Sequence, residues 1–261
     1  AKGGGRVDQA HVEELAQLLE LARTDLSTCT ACQLRATTRA PVFGRGSPTA
    51  RIVIVGEAPG TEEDKAGSPF VGAAGRILSD LLVRAELVEA DLWITNAVAC
   101  WPPPAPGSSS RNGKPTIDSV RNCNHLHLLR QLDAIGPRVV VALGAYATGS
   151  LLQVSPASVK VADTISVPLD ASNPWAIPAS PAGFLDPNNP ALRVSGSIDD
   201  AGALRRHLPV VAGGRTAGLV PLLVGYHPAY LDRLGYWQDK DSRAAQVTVA
   251  TLIGARRLAA A

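Results

Sequence analysis

Methionine is absent from the 261 residues, and aromatic side chains are scarce: three phenylalanines, four tryptophans and four tyrosines. Cysteine is nearly absent too, and four residues are too few for a disulfide scaffold at this length. No apolar run reaches the roughly 18 residues that read as a bilayer span. The stretch from Ala1 to Arg6 passes into acidic Asp8, Glu13 and Glu14 without the apolar core of a signal peptide. A cytoplasmic monomer without membrane contact is therefore expected. Charge of one sign is also missing, since 25 basic and 23 acidic residues leave a net charge of +2. Lysine supplies only 5 of those basic residues, and the arginine excess, alongside abundant Ala, Gly and Pro, reads as GC-rich coding rather than as a nucleic-acid signature. A small sum still allows a local basic patch, so nucleic acid is not excluded. With 46% apolar residues the chain is too hydrophobic for global disorder and long enough for one large domain or two small ones.

What is present is an alternation of strands and helices. Val12, Leu15, Leu18, Leu19 and Ala22 recur at helical spacing, predicting an amphipathic helix over residues 8–24. Arg51-Ile-Val-Ile-Val-Gly56 is an uninterrupted β-branched run of the kind buried on both faces of a parallel sheet. A Gly/Pro loop then leads to a helix from about Ala73 to Ala85. Leu92–Val98 reads as a second strand, Ile117 to Leu132 as a helix, Arg138–Gly144 as a third strand and Ala145–Leu152 as a short helix. Leu219–Val224 is the fourth strand, with Pro221 placing it near an edge or a strand start, and residues from Ser242 onward form a closing helix. This rhythm calls for a parallel sheet covered by helices on both sides, with ligands beyond the strand C-termini. The loops at 56–72, 96–115 and 225–236 all leave such ends and are expected to converge on one cleft. Residues 153–218 break the rhythm; they are rich in Pro, Ala, Ser, Asn and Gly, with one candidate helix where Ser197-x-x-Asp200 resembles a capping box opening toward Leu204 and Leu208.

The cysteines fall as Cys29-x2-Cys32, then Cys100 after a strand, then Cys123 on the apolar face of a helix. Four unrelated buried thiols, a tetrahedral zinc site and a [4Fe–4S] cluster all match this order, and spacing alone does not choose among them. Two disulfides do not suit a reducing cytoplasm.

The loop after the first strand reads Gly56-Glu-Ala-Pro-Gly-Thr-Glu-Glu-Asp-Lys-Ala-Gly-Ser-Pro-Phe-Val-Gly72. Its glycines and prolines specify a particular tight path, Glu57 stands where catalytic carboxylates are mounted, and Phe70 is held between Pro69 and Val71. It is no phosphate cradle: Gly-Lys-Ser/Thr is missing, and the acidic cluster would repel phosphate.

This run resembles the first signature of the family 4, iron–sulfur uracil-DNA glycosylases. Thr95-Asn-Ala-Val-Ala-Cys100 with Pro102-Pro103 is similar to their second, and Tyr226-His-Pro-Ala-Tyr-Leu-Asp-Arg233 to their third. The four cysteines match the family's cluster ligands in order, and the resemblance covers residues 26–152 and 219–258. It implies a three-layer α/β/α sandwich around a central, mostly parallel four-stranded sheet, formed by a single domain over residues 1–261 with 1–7 a flexible tail and 153–218 an insertion. It also implies a monofunctional enzyme of base excision repair that hydrolyses the N-glycosidic bond of a flipped-out uracil in DNA.

By the same resemblance Phe70 stacks on the base and the Asn96 amide matches the donor–acceptor edge of uracil. His227 stabilises negative charge at the uracil O2, Glu57 positions or activates the water, and Gly56, Ala58 and Gly60 border the base. Leu231 and Arg233 are candidates for a wedge into the minor groove, and Cys29, Cys32, Cys100 and Cys123 hold a [4Fe–4S] cluster in preference to zinc. His125, His127 and His207 are read as structural or surface residues.

Two departures stand out. The loop between Cys100 and Cys123 has 22 residues, carries Trp101, Arg111 and Lys114, and has no histidine of the kind that captures the sugar in a cross-linking branch. The 153–218 insertion bears on which base is accepted, so a glycosylase for another deaminated or hypermodified base is a second reading, and a weakly catalytic iron–sulfur DNA-binding module a third.

Overall fold

The computed structural model describes residues 9–153, 155–156, 197–198, 204–212 and 215–260. Its strands are β1 (Arg45–Gly46), β2 (Ile52–Gly56), β3 (Leu92–Asn96), β4 (Val139–Leu143), β5 (Ser197–Ile198), β6 (Leu204–Ala212) and β7 (Arg215–Gly225). They form one sheet in the order β1-β3-β2-β4-β7-β6-β5. The four strands β3, β2, β4 and β7 run parallel, as expected, while β1, β6 and β5 extend the sheet antiparallel at its two edges.

The β-branched runs explain the centre. Every residue of β2 and β4 is buried, and their side chains alternate between two cores. Val53, Val55, Val140 and Ala142 face α1 (Gln9–Ser27), α5 (Leu129–Ile135) and α6 (Gly144–Leu152). Ile52, Ile54, Val139 and Val141 face α3 (Ala73–Arg84) and α8 (Arg243–Ala260). A period of two on a sheet covered on both sides yields the three layers. Two short helices complete the site side: α2 (Thr61–Ala66) inside the 56–72 loop and α7 (Pro228–Arg233) after β7. Between α4 (Ile117–Cys123) and α5, the turn Asn124–Leu128 is π-helical.

Three expectations are corrected. The helix opening toward Leu204 and Leu208 is instead strand β6, because residues 204–212 pair with β7 as a hairpin (Ala212 opposite Arg215, Leu208 opposite Val220) and its ladder overrides the capping signal. The fourth strand begins at Arg215 rather than 219 and is internal rather than an edge. Pro221 is tolerated there because pairing with β4 starts one residue later, at Leu222. The 1–7 tail and most of the 153–218 insertion lie outside the described residues.

From β2 the chain moves outward to β3 and then crosses back to β4 on the other side. The direction of winding reverses between β2 and β4, and the crevice beyond their C-terminal ends is where such sheets take ligands.

Candidate functional site

Gly56 and Asn96 are register partners at the ends of β2 and β3, and Leu143 and Gly225 are partners at the ends of β4 and β7. The four parallel strands thus deliver Glu57, Asn96, Gly144 and His227 to one edge of the sheet. A cavity of about 450 Å³ opens there, lined by Gly60, Phe70, Asn96, Asn112, His227 and Asp232 among others. A Cβ on Gly56 would lie 2.4 Å from both the Asn96 Oδ1 and the Phe70 Cζ, so the ring and the amide meet over a residue that has to be glycine. The Phe70 and His227 rings are 6.0 Å apart with a tilt of 35°.

His227 has a defined tautomer. The Ala229 N–H donates to its Nδ1 at 3.2 Å, so Nδ1 is the bare nitrogen and the neutral ring carries its proton on Nε2. Nε2 is buried and has no partner among the described residues. Burial, and secondarily the charge of Arg233, push the His227 pKa down to about 4. At ordinary pH the imidazole is therefore neutral, and its Nε2–H has no acceptor among the described residues, in a side chain that lines the cavity.

Glu57 follows β2 directly. Burial pushes its carboxyl up to about 7, against the opposing pull of Lys114 and Arg233. A carboxyl poised near neutrality is suited to accepting a proton from water. Lys114 comes from the 96–115 loop, one of the three expected to converge on this cleft. Tyr146, near the start of α6, feels the Glu57 charge; burial and that charge raise its phenol pKa.

Ala58, Gly60 and Phe70 all line the cavity, and the Gly60 N–H is committed to the Glu63 Oε2 at 3.1 Å. Sequence reasoning missed Arg111 and Asn112, which form part of the wall. The Asn112 Oδ1 accepts from the Thr61 N–H (3.1 Å), the Thr61 hydroxyl (3.1 Å) and the Trp101 indole (2.9 Å), which ties the long loop to α2. An Asn-Gly pair signals a turn, yet nothing local indicates that it folds back onto Thr61.

On α7 one expectation fails. Leu231 is fully buried in the core formed with α3 and α8 and is not available as a wedge. The residues exposed beside it are Tyr230, Asp232, Arg233 and Leu234. The Arg233 guanidinium lies 5.7 Å from the Tyr230 ring, which in turn stacks on Tyr226 at 5.5 Å.

The four cysteines share a neighbourhood on the α1/α5 side of the sheet. Cys100 and Cys123 are buried, and Cys29 and Cys32 pack against the same core. Burial, reinforced by the neighbouring cysteine sulfurs, pushes the Cys100 thiol up to about 12, with Arg35 opposing. Cys123 is likewise pushed up to about 12 by burial, while an Ala99 backbone hydrogen bond opposes. Among the described residues no three His, Cys, Asp or Glu side chains are drawn close enough to share one metal ion directly. The donor chemistry, four sulfurs within mutual electrostatic reach in an apolar surround, fits a thiophilic metal group.

Comparison with known proteins agrees with this geometry. The chain is 43% identical over 131 residues to a type-4 uracil-DNA glycosylase of Thermotoga maritima, covering 50% of this chain and 64% of that protein. It is 43% identical over 123 residues to the type-4 enzyme of Archaeoglobus fulgidus, covering 47% and 58%. A type-5 uracil-DNA glycosylase of Thermus thermophilus is 36% identical over 131 residues, covering 43% and 54%. In each case the match spans less than two thirds of the relative's length. The family model described as the uracil DNA glycosylase superfamily matches residues 43–252, which include every cavity residue named above. The chain belongs to the uracil DNA glycosylase superfamily.

Proposed function

We propose that the protein is a monofunctional uracil-DNA glycosylase of the type-4 kind, acting in base excision repair. The observation that carries this reading is the unpartnered Nε2–H of a neutral His227, in one cavity with the Phe70 ring and the Asn96 amide. A flipped uracil stacks on Phe70, and its N3–H and O4 pair with the Asn96 acceptor and donor, an edge that cytosine does not reproduce. As the bond between C1′ and the base nitrogen breaks, its electron pair passes to uracil, and His227 donates a hydrogen bond to the O2 where negative charge collects. A neutral donor suits this step, because its proton stays on the imidazole. Water adds to C1′ and gives up a proton toward the Glu57 carboxylate, whose charge also opposes that of the oxocarbenium-like sugar. The products are free uracil and an abasic site. No lysine amine is required, so the strand stays intact.

The exposed Tyr230, Arg233 and Leu234 on and after α7 fit DNA contact beside the flipped nucleotide. Cys29, Cys32, Cys100 and Cys123 would hold a [4Fe–4S] cluster, which ties the N-terminal segment to the loop after β3 and to α4. Four free thiols also fit a reducing, cytoplasmic setting.

The test uses oligonucleotides carrying uracil, hypoxanthine, xanthine or a modified cytosine, incubated with the protein and then with alkali. Alkali-labile sites opposite the uracil lane support the reading. Cleavage only with another base would move the same chemistry to that base, and DNA binding without any labile site would leave a binding module instead.

A further inference from the structure

Phe70 adopts a backbone conformation that phenylalanine rarely takes. Its φ is +55°, in the left-handed region that a bulky residue occupies only where its surroundings impose it. Three contacts impose it. The Phe70 carbonyl oxygen sits where a Cβ on Gly75 would be 2.0 Å away, so only glycine at 75 admits it. The Pro69 carbonyl just before it accepts the Arg45 Nε–H at 2.9 Å, from edge strand β1. The two amides that follow, Val71 N–H (3.0 Å) and Gly72 N–H (2.7 Å), both donate to the Glu63 Oε1.

The other oxygen of the same carboxylate, Oε2, accepts the Gly60 N–H at 3.1 Å. Glu63 is buried, with 8% of its surface exposed, and stands at the third position of α2. One side chain therefore binds both ends of the loop that walls the cavity. We propose that Glu63 is the positioning residue of the base pocket, holding Phe70 in its left-handed conformation at the distance from His227 that stacking on a flipped base requires. The next residue, Asp64, is spent elsewhere: it accepts from the Thr38 hydroxyl and the Arg39 N–H, anchoring α2 to the segment that follows the Cys29–Cys32 pair. The two adjacent carboxylates thus divide the work, and Asp64 serves as an internal control.

This inference rests on the base-stacking reading of Phe70, so its test has an arm that needs no substrate. Amide hydrogen exchange is measured residue by residue on the wild type, Glu63→Gln, Glu63→Ala and Asp64→Asn. Glu63→Ala is expected to speed exchange at Gly60, Val71 and Gly72 by about tenfold or more while β2 and β3 amides are unchanged, with Glu63→Gln intermediate because its single carbonyl oxygen still accepts. Asp64→Asn is expected to leave those three amides protected. The second arm measures kcat and KM on a uracil oligonucleotide for Glu63→Gln, Phe70→Ala and the double variant. Misplacing a stacked ring by about 1 Å costs on the order of 10²-fold, so Glu63→Gln is expected to lower kcat/KM by about 10- to 100-fold alone and by less than about twofold when Phe70 is already alanine.

Unchanged exchange at the three amides, equal loosening by Asp64→Asn, or equal rate losses in both Phe70 backgrounds would overturn the proposal. Should the wild type release no uracil, the substrate reading fails, and the exchange arm alone still decides the role of Glu63.

Discussion

Gly144 and His227 are packed so closely that a methyl group on Gly144 would lie 2.9 Å from the His227 Cβ. Gly144 also has a φ of +85°, which disfavours any side chain there. The end of β4 thus sets the position of a residue 83 places later in the chain. Gly144→Ala is expected to push the imidazole off its line to the cavity, lowering uracil release by about 100-fold or more. Backbone strain is expected to remove about 1–3 kcal/mol of stability as well. Steady-state release assays and thermal melts on the same preparation check both parts, and a wild-type rate would dissociate Gly144 from catalysis.

Gly56→Ala tests the packing of the pocket residues Asn96 and Phe70. The added methyl would meet Asn96 Oδ1 and Phe70 Cζ at 2.4 Å each, so one of them has to move. Activity is expected to fall by about two orders of magnitude while far-ultraviolet circular dichroism stays native. Retained activity would show that the ring and the amide do not both contact the base.

The pH dependence follows from Glu57. Its pKa is raised from 4.5 to about 7, so the folded protein holds this proton through a range in which the unfolded chain has lost it. Its contribution to stability is complete below about 4.5 and is lost as pH rises through about 7. Glu57→Gln is therefore expected to melt higher than the wild type at pH 8 and near it at pH 4.5. In the wild type, kcat/KM is expected to rise with pH to a plateau above about 7, and Glu57→Gln should lose that inflection.

The buried histidines act in the other direction. His227 and His127 are both pushed from 6.5 down to about 4, chiefly by burial. The unfolded chain takes up these protons below about 6.5 and the folded one does not until about 4, so stability is full above that window and falls as the pH drops through it. Both His127 nitrogens are buried without partners among the described residues, so His127→Leu is expected to flatten the acid limb of a plot of melting temperature against pH. An unchanged limb would assign the acid loss to other groups.

On α7, burial separates two neighbours. Leu231→Ala, at a fully buried core position, is expected to cost about 2–5 kcal/mol. Tyr230→Ala, at an exposed one, is expected to leave the melting temperature within about 2 °C while raising KM for double-stranded substrate about fivefold or more. A comparison of denaturant midpoints with KM values decides this, and the reverse pattern would restore Leu231 as the wedge.

For the cysteines, absorbance near 400 nm with about four irons per chain is expected, and chelation under oxidising conditions should bleach it and lower the melting temperature. A colourless protein with one tightly bound zinc would reassign the same four sulfurs, and a metal-free protein of equal stability would remove the cluster.

Much of the site was legible in the sequence because it depends on strand ends. Each β-branched run buried on both faces identifies itself, so Glu57, Asn96 and His227 were placed at C-terminal ends before their neighbours were known. Other features were not legible. Leu231 sits in a six-residue helix, too short for a periodicity that tells its buried face from its exposed one. Asn112 acts through partners 51 and 11 residues away, which no local pattern encodes. The β6–β7 hairpin overrode the capping signal, and its pairing is local: Ala212 stands opposite Arg215, with Gly213-Gly214 between them in the sequence as a hairpin signal that the capping reading passed over.

Alone, the amino-acid order determined the parallel core, the positions of the loops that meet at the cavity and the near-neutral charge, since these follow from local hydrophobic runs, turn residues and counting. Only the tertiary structure decided which histidine nitrogen carries the proton, that burial moves Glu57 and His227 toward opposite protonation states, and that Phe70 is held at a positive φ by Arg45, Glu63 and Gly75. The proton's place follows from the folded start of α7, where the Ala229 N–H meets Nδ1 two residues away, and the other two follow from groups distant in the chain, as where Arg45 meets the Pro69 carbonyl at 2.9 Å.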